Sequence, residues 1–163
     1  MKKEQLIARM IDYSKGNIHD ICHFLKVTSY AETIAALEGL DAETLNTVVT
    51  AAIVHDIACP FCREKYGSCP GPYQEMESHK LLADFFSGTD IETSLLERVD
   101  YLVCHHHTYT DVDGIDYRIL LEADFLVNAD EGHMTHEAIL KGRDLIFRTA
   151  SGTALLNSIY SLV

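Results

Sequence analysis

Apolar positions recur at helical spacing along almost the whole chain, and β-branched alternation is scarce, so the pattern predicts an all-α protein. A first helix is expected from about Lys3 to Tyr13, with Leu6, Met10 and Tyr13 on one stripe and Ser14-Lys15-Gly16 ending it. Asn17 then has the character of an N-cap, and Asp20 supports the first turn of a second helix. There His23, Val27, Ala31 and Ala35 repeat at i+4, which aims His23 into the core and leaves His19 nearer the rim. Gly39 closes this helix and Asp41 caps the third.

The third helix stands apart from the others. Val48-Val49-Thr50-Ala51-Ala52-Ile53-Val54 is apolar or Thr on every face, the signature of a helix buried all round, and it runs into the pair His55-Asp56. An imidazole and a carboxylate at the end of a buried helix need partners, because an unpaired buried charge costs several kcal/mol. A divalent cation satisfies both groups, and a His–Asp hydrogen bond that only joins helices is the plainer alternative.

From Ala58 to Gln74 the pattern breaks, with all three prolines between 60 and 72, so an irregular lid or wall over the His-Asp pair is expected. A fourth helix is expected from near Glu75. His79, Leu82, Ala83 and Phe86 share one stripe, and Glu77, Leu81 and Phe85 a neighbouring one, so either Glu77 or His79 could face inward. After Gly88 a fifth begins at Asp90, and Leu95, Val99, Leu102 and His106 carry its stripe into Cys104-His105-His106-His107. Beyond the polar loop Thr108–Gly114, a sixth helix from about Ile115 to Asn128 places Asp124 on its apolar face, where a carboxylate needs a partner. Thr135–Arg148 and Thr153–Leu162 read as two packing helices.

Composition narrows the function classes. A length of 163 residues fits one domain with a substantial core. A formal charge of -12 argues against nucleic-acid polymers as partners, since phosphate backbones call for basic patches. No apolar run reaches the roughly 20 residues that cross a bilayer and the N-terminus lacks a signal-peptide pattern, so a cytoplasmic protein without a membrane partner is the default expectation. Five cysteines, at 22, 59, 62, 69 and 104, are an odd number suited to free thiols. Cys59 and Cys62 have CxxC spacing, but a second such pair is missing, which favours thiols over a structural zinc.

Three helices thus aim His23, His55-Asp56 and Asp124 at the core, the composition of a metal-ligand set. The order His…His-Asp…Asp, with His23-Phe24-Leu25-Lys26-Val27 upstream and Glu122-Ala123-Asp124 downstream, resembles the HD-domain superfamily of metal-dependent phosphohydrolases over about residues 17 to 130. The resemblance implies a single helical-bundle domain over 1–163, with a metal-binding core and C-terminal packing helices from about 133. It implies that His23, His55, Asp56 and Asp124 hold a divalent cation (manganese, iron, cobalt, nickel, zinc or magnesium). Branches with two metals would add ligands from among Glu77, His79, His105 and His106. The cyclic-dinucleotide branch is not supported, because no GYP follows the histidine run.

The activity so implied is hydrolysis of a small phosphorylated metabolite, with a nucleotide among the candidates, by a metal-activated water that His55 and Asp56 help to generate. Lys26, Arg63, Lys65 and Lys80 are the candidate substrate contacts. The rivals are a diiron oxygenase of the same superfamily and a catalytically silent metal-stabilised ligand-binding module.

Overall fold

The computed structural model describes residues 1–162. Nine helices and no strand lie among the described residues: α1 Lys3–Tyr13, α2 Ile18–Leu37, α3 Ala42–Val54, α4 Cys59–Tyr66, α5 Gly71–Phe86, α6 Thr93–Val103, α7 Ile115–Glu131, α8 His136–Ile146 and α9 Ala150–Tyr160. The all-α expectation holds. The caps at Asn17 and Asp41 also form, with Asn17 accepting from the Asp20 N–H and Asp41 from those of Glu43 and Thr44.

Helix α3 is the axis of the bundle. Every residue from Thr47 to Val54 is buried, and α1, α2, α6 and α7 pack around it. The segment Ala42–Tyr66 is apolar and long enough to cross a membrane by composition, yet 72% of its most apolar window is buried within the protein. That is the profile of a core helix. Helices α8 and α9 pack against each other and against α7 on the outside.

The structure corrects the expectation of an irregular stretch between Ala58 and Gln74. Pro60 lies in the first turn of α4 and Pro72 in the first turn of α5, where the missing N–H has no intrahelical partner to lose. Gly67, at φ 75°, ends α4 in the left-handed region that glycine enters without strain. The prolines therefore mark helix starts. Only the turns at 55–58 and 67–70 are irregular, and the wall beside His55-Asp56 is helical.

Candidate metal centre

Three elements deliver one tight group of donors. His23 comes from the interior of α2, His55 and Asp56 from the turn that follows α3, and Asp124 from the middle of α7. His23 Nε2 lies 3.2 Å from His55 Nε2 and 3.2 Å from Asp124 Oδ1. Asp56 Oδ2 is 3.5 Å from His23 Nε2 and 3.6 Å from His55 Nε2, and His55 Nε2 is 3.5 Å from Asp124 Oδ1.

The other ring nitrogens show which atoms these are chemically. His55 Nδ1 bonds to the Ala52 carbonyl at 2.8 Å and His23 Nδ1 to Glu131 Oε2 at 2.7 Å. A proton on each Nδ1 leaves both Nε2 lone pairs converging on two carboxylate oxygens. Four acceptors so close repel one another unless a cation lies among them. Ligands held at about 2.1 Å from one ion are themselves about 3.0–3.5 Å apart, so His23, His55 and Asp56 have the mutual spacing of ligands to one divalent metal, and Asp124 adjoins them through the two histidines.

Electrostatics point the same way. Burial disfavours a charged His23, but the Asp124 hydrogen bond, the charges of Asp56 and Asp124 and the Glu131 hydrogen bond outweigh it, and the ring is pushed up to about 9. Burial would raise Asp56 and Asp124, yet the surrounding histidines hold both carboxyls well below the usual range. Both carboxylates are therefore ionised at neutral pH, and proton and cation compete for the His23 nitrogen.

A second group lies on the far side of Asp56. His106 Nε2 is 3.6 Å from Asp56 Oδ1, and His106, His107 and Asp56 each offer one ligand atom within 4.8 Å of the others. His106 Nδ1 is fixed by the Val103 carbonyl at 2.7 Å. The Nε2 atoms of His106 and His107 are buried and have no hydrogen-bond partner, although buried polar nitrogens are almost always satisfied. Burial first, and the neighbouring His106 next, lower the His107 pKa to about 4, so its ring is neutral and able to ligate. Close packing by Gly71 sets its position: a Cβ there would come within 2.7 Å of the His107 ring. Asp56 thus presents one oxygen to each group.

The other candidates for a second site lie elsewhere. His79 is exposed and bonded to Asp100 at 2.9 Å, because the buried face of α5 runs through Gln74, Ser78, Leu82 and Phe85. Glu77 binds Lys65 at 2.7 Å and also the Tyr66 hydroxyl. His105 turns its Nδ1 to the Tyr101 carbonyl at 2.7 Å and stacks on that ring. Of the expected four, only His106 joins the centre, and His107 takes the place given to the others. We expect His79→Ala to leave metal content unchanged. His107→Ala should weaken uptake of a second equivalent by at least roughly tenfold, the smallest loss typical even of residues behind the ligands. Titration with manganese followed by elemental analysis distinguishes the two.

Beside the centre a cleft of about 320 Å³ is lined by His19, Asp56, Cys59, Arg63, Asn128 and Glu131, among others. Of the four expected substrate contacts, Arg63 lines this cleft, its guanidinium held by Asp20. Lys26 is tied to Glu131. Lys65 pairs with Glu77 over the Phe61 and Tyr66 rings, and Lys80 is exposed on α5; neither lines the cleft. Cys59 and Cys69 are free thiols with Sγ atoms 2.7 Å apart, and no cysteine belongs to a cluster with metal-ligand spacing among the described residues.

Periodicity alone passes over Glu131, which sits seven residues beyond Asp124. That is two helical turns along the same face of α7, a readable signal once Asp124 is placed.

A family model described as "HD domain" matches residues 20–141, three-quarters of the chain and all the donors named above. No curated protein matches the sequence. Among solved structures, the chain resembles the 1.45 Å crystal structure of a predicted HD superfamily hydrolase from an uncultured Thermotogales bacterium. The TM-score is 0.70 at 22% identity, with 98% of this chain and 85% of the other covered. At that identity the likeness establishes the shared fold.

Proposed function

The chain belongs to the HD-domain family, and on that footing we propose that it is a metal-dependent hydrolase of small phosphate esters. His23, His55, Asp56 and Asp124 would hold one divalent cation, and Asp56, His106 and His107 a second. The observation that carries this reading is Asp56, whose two oxygens face two separate groups of imidazole nitrogens beside an open cleft. Bound metal would supply a water acidified toward neutral pH and charge neutralisation on the phosphoryl oxygens.

The chain's own residues do the rest. The backbone carbonyls of Ala52 and Val103 hold the rings of His55 and His106 in one orientation, so their Nε2 atoms stay aimed at the centre. Asp56, kept ionised by the three surrounding histidines, keeps both oxygens available to hold cations. Arg63 stands at the cleft wall, where its guanidinium can exchange Asp20 for a phosphate oxygen. A phosphorylated metabolite of nucleotide size or smaller suits a cleft of about 320 Å³.

Two carboxylate-linked groups would also serve a diiron oxygenase, so the deciding assay varies oxygen. Phosphate release should be seen with added manganese under strict anaerobic conditions across a panel of nucleotides and sugar phosphates. A chelator should abolish it. Turnover confined to iron and dioxygen would replace this reading with the oxygenase. Metal retained without turnover on any substrate would favour a silent ligand-binding module.

A further inference from the structure

We infer that Glu131 is a positioning residue for the metal centre: it orients His23 from the far end of α7, and Lys26 holds it in place. The inference rests on the proposed metal site and adds a residue that is not itself among the ligands.

The reason lies in where each histidine sits on its helix. His55 follows the last residue of α3 and His106 lies in the turn after α6. The last four carbonyls of a helix have no intrahelical partner. Each of these rings therefore takes a carbonyl three residues back, Ala52 at 2.8 Å and Val103 at 2.7 Å. His23 has no such recourse. It lies inside α2, between Ile18 and Leu37, where every nearby carbonyl already accepts the bond of the helix itself. Its Nδ1 meets no helix-end carbonyl, and the group that arrives is Glu131 Oε2 at 2.7 Å, 108 residues away in sequence.

Glu131 is in turn fully engaged. Its Oε1 is bound by the ammonium of Lys26, and Oε2 by His23. Its side chain is only 15% exposed although it lines the cleft. With both oxygens bound, it is poorly placed to take a proton from water and acts through His23. Lys26 and His23 are three residues apart on α2, so one face of that helix grips both oxygens of a carboxylate two turns beyond the ligand Asp124. The clamp ties α2 to α7, the two helices that bring opposing donors to the first cation.

A carboxylate behind a metal-bound imidazole fixes its tautomer and strengthens it as a donor, and losing such a partner typically weakens metal binding by about 10–100-fold. Manganese affinity, measured by competition with a chelator, is therefore expected to fall by about that factor in Glu131→Ala. Glu131→Gln should fall between the variant and wild type, since a neutral oxygen still accepts from Nδ1 but more weakly. Equal affinity in Glu131→Ala and wild type would overturn the inference, as would Glu131→Gln no better than Glu131→Ala. Loss of the clamp also lowers the melting temperature of the chelated protein, so affinities are compared at a temperature where circular dichroism shows every variant fully folded, and a loss that persists there is the effect on His23. Should Glu131→Ala fail to fold, ring-nitrogen NMR of zinc-loaded wild type decides: His23 should carry its proton on Nδ1, and metal on Nδ1 would overturn the proposal. A wild type that binds no metal would sink the proposed function as well, whereas a metal-binding wild type with an indifferent Glu131→Ala sinks this inference alone.

Discussion

Asp56→Ala is expected to lose both bound equivalents of metal and, with them, phosphate release by on the order of a thousandfold or more, because it acts as one unit with every other donor. Among the described residues, Asp56 alone belongs to both groups. Its Oδ2 is 3.5 Å from His23 and its Oδ1 3.6 Å from His106, so one substitution opens both sides of the centre. Asp124→Ala makes the informative contrast. It removes a donor that faces only His23 and His55, and the second group, Asp56 with His106 and His107, stays whole. Elemental analysis should therefore give near-zero metal for Asp56→Ala and a partial loss for Asp124→Ala. Helical circular dichroism should be unchanged in both, since neither side chain caps a helix. Full metal content in Asp56→Ala would end the ligand assignment.

The largest stability effect is expected at Glu122, a carboxylate two residues before a proposed ligand that takes no part in ligation. It is fully buried, and it accepts from the backbone N–H of Arg148 at 2.7 Å and of Thr149 at 2.9 Å, and from the Thr149 hydroxyl. Those donors lead into α9, whose N-cap is Thr149, so Glu122 is the point at which the C-terminal helix is anchored to α7. Glu122→Ala strands three donors and leaves a cavity. Hydrogen bonds to a charged acceptor are worth about 1.5–3 kcal/mol each, and partial rehydration recovers some of that. A loss of about 4 kcal/mol is expected by urea denaturation, or roughly 8–16 °C in melting temperature for a chain of this length. Metal content at low temperature should be unaffected, which separates the anchor from the site. Gly152→Ala should act on the same anchor, since a Cβ there would come within 2.1 Å of Glu122 Oε2. A change under 1 kcal/mol in Glu122→Ala would show that the rest of α7 holds α9 without it.

Much of the architecture can be read in the chain because helices report themselves locally. Repeats at i+3 and i+4 mark α1, α2, α3, α6 and α7, and short polar side chains at Asn17 and Asp41 mark two of their starts. The same periodicity, continued one step further, turns His23 and Asp124 inward, since a helix carries its phase rigidly along its length. Where the chain leaves a helix, that phase is lost. Helix α6 stops at Val103, so the turn beyond it decides which of three consecutive histidines point inward, and both His106 and His107 do. The exposure of His79 follows a related rule. Two stripes on α5 have similar apolar character, and only its packing against α6 chooses between them.

By itself, then, the sequence determined an all-α protein with a buried third helix and four inward acidic and imidazole groups in the order of the HD-domain family. Those features need only local propensity and helical phase. The tertiary structure alone decided that Asp56 faces two groups of donors, that His107 belongs to one of them, and that Glu131 reaches His23 across 108 residues. Contacts of that kind depend on how separate helices cross, and crossing is set by packing of the whole core, which no short window of residues contains.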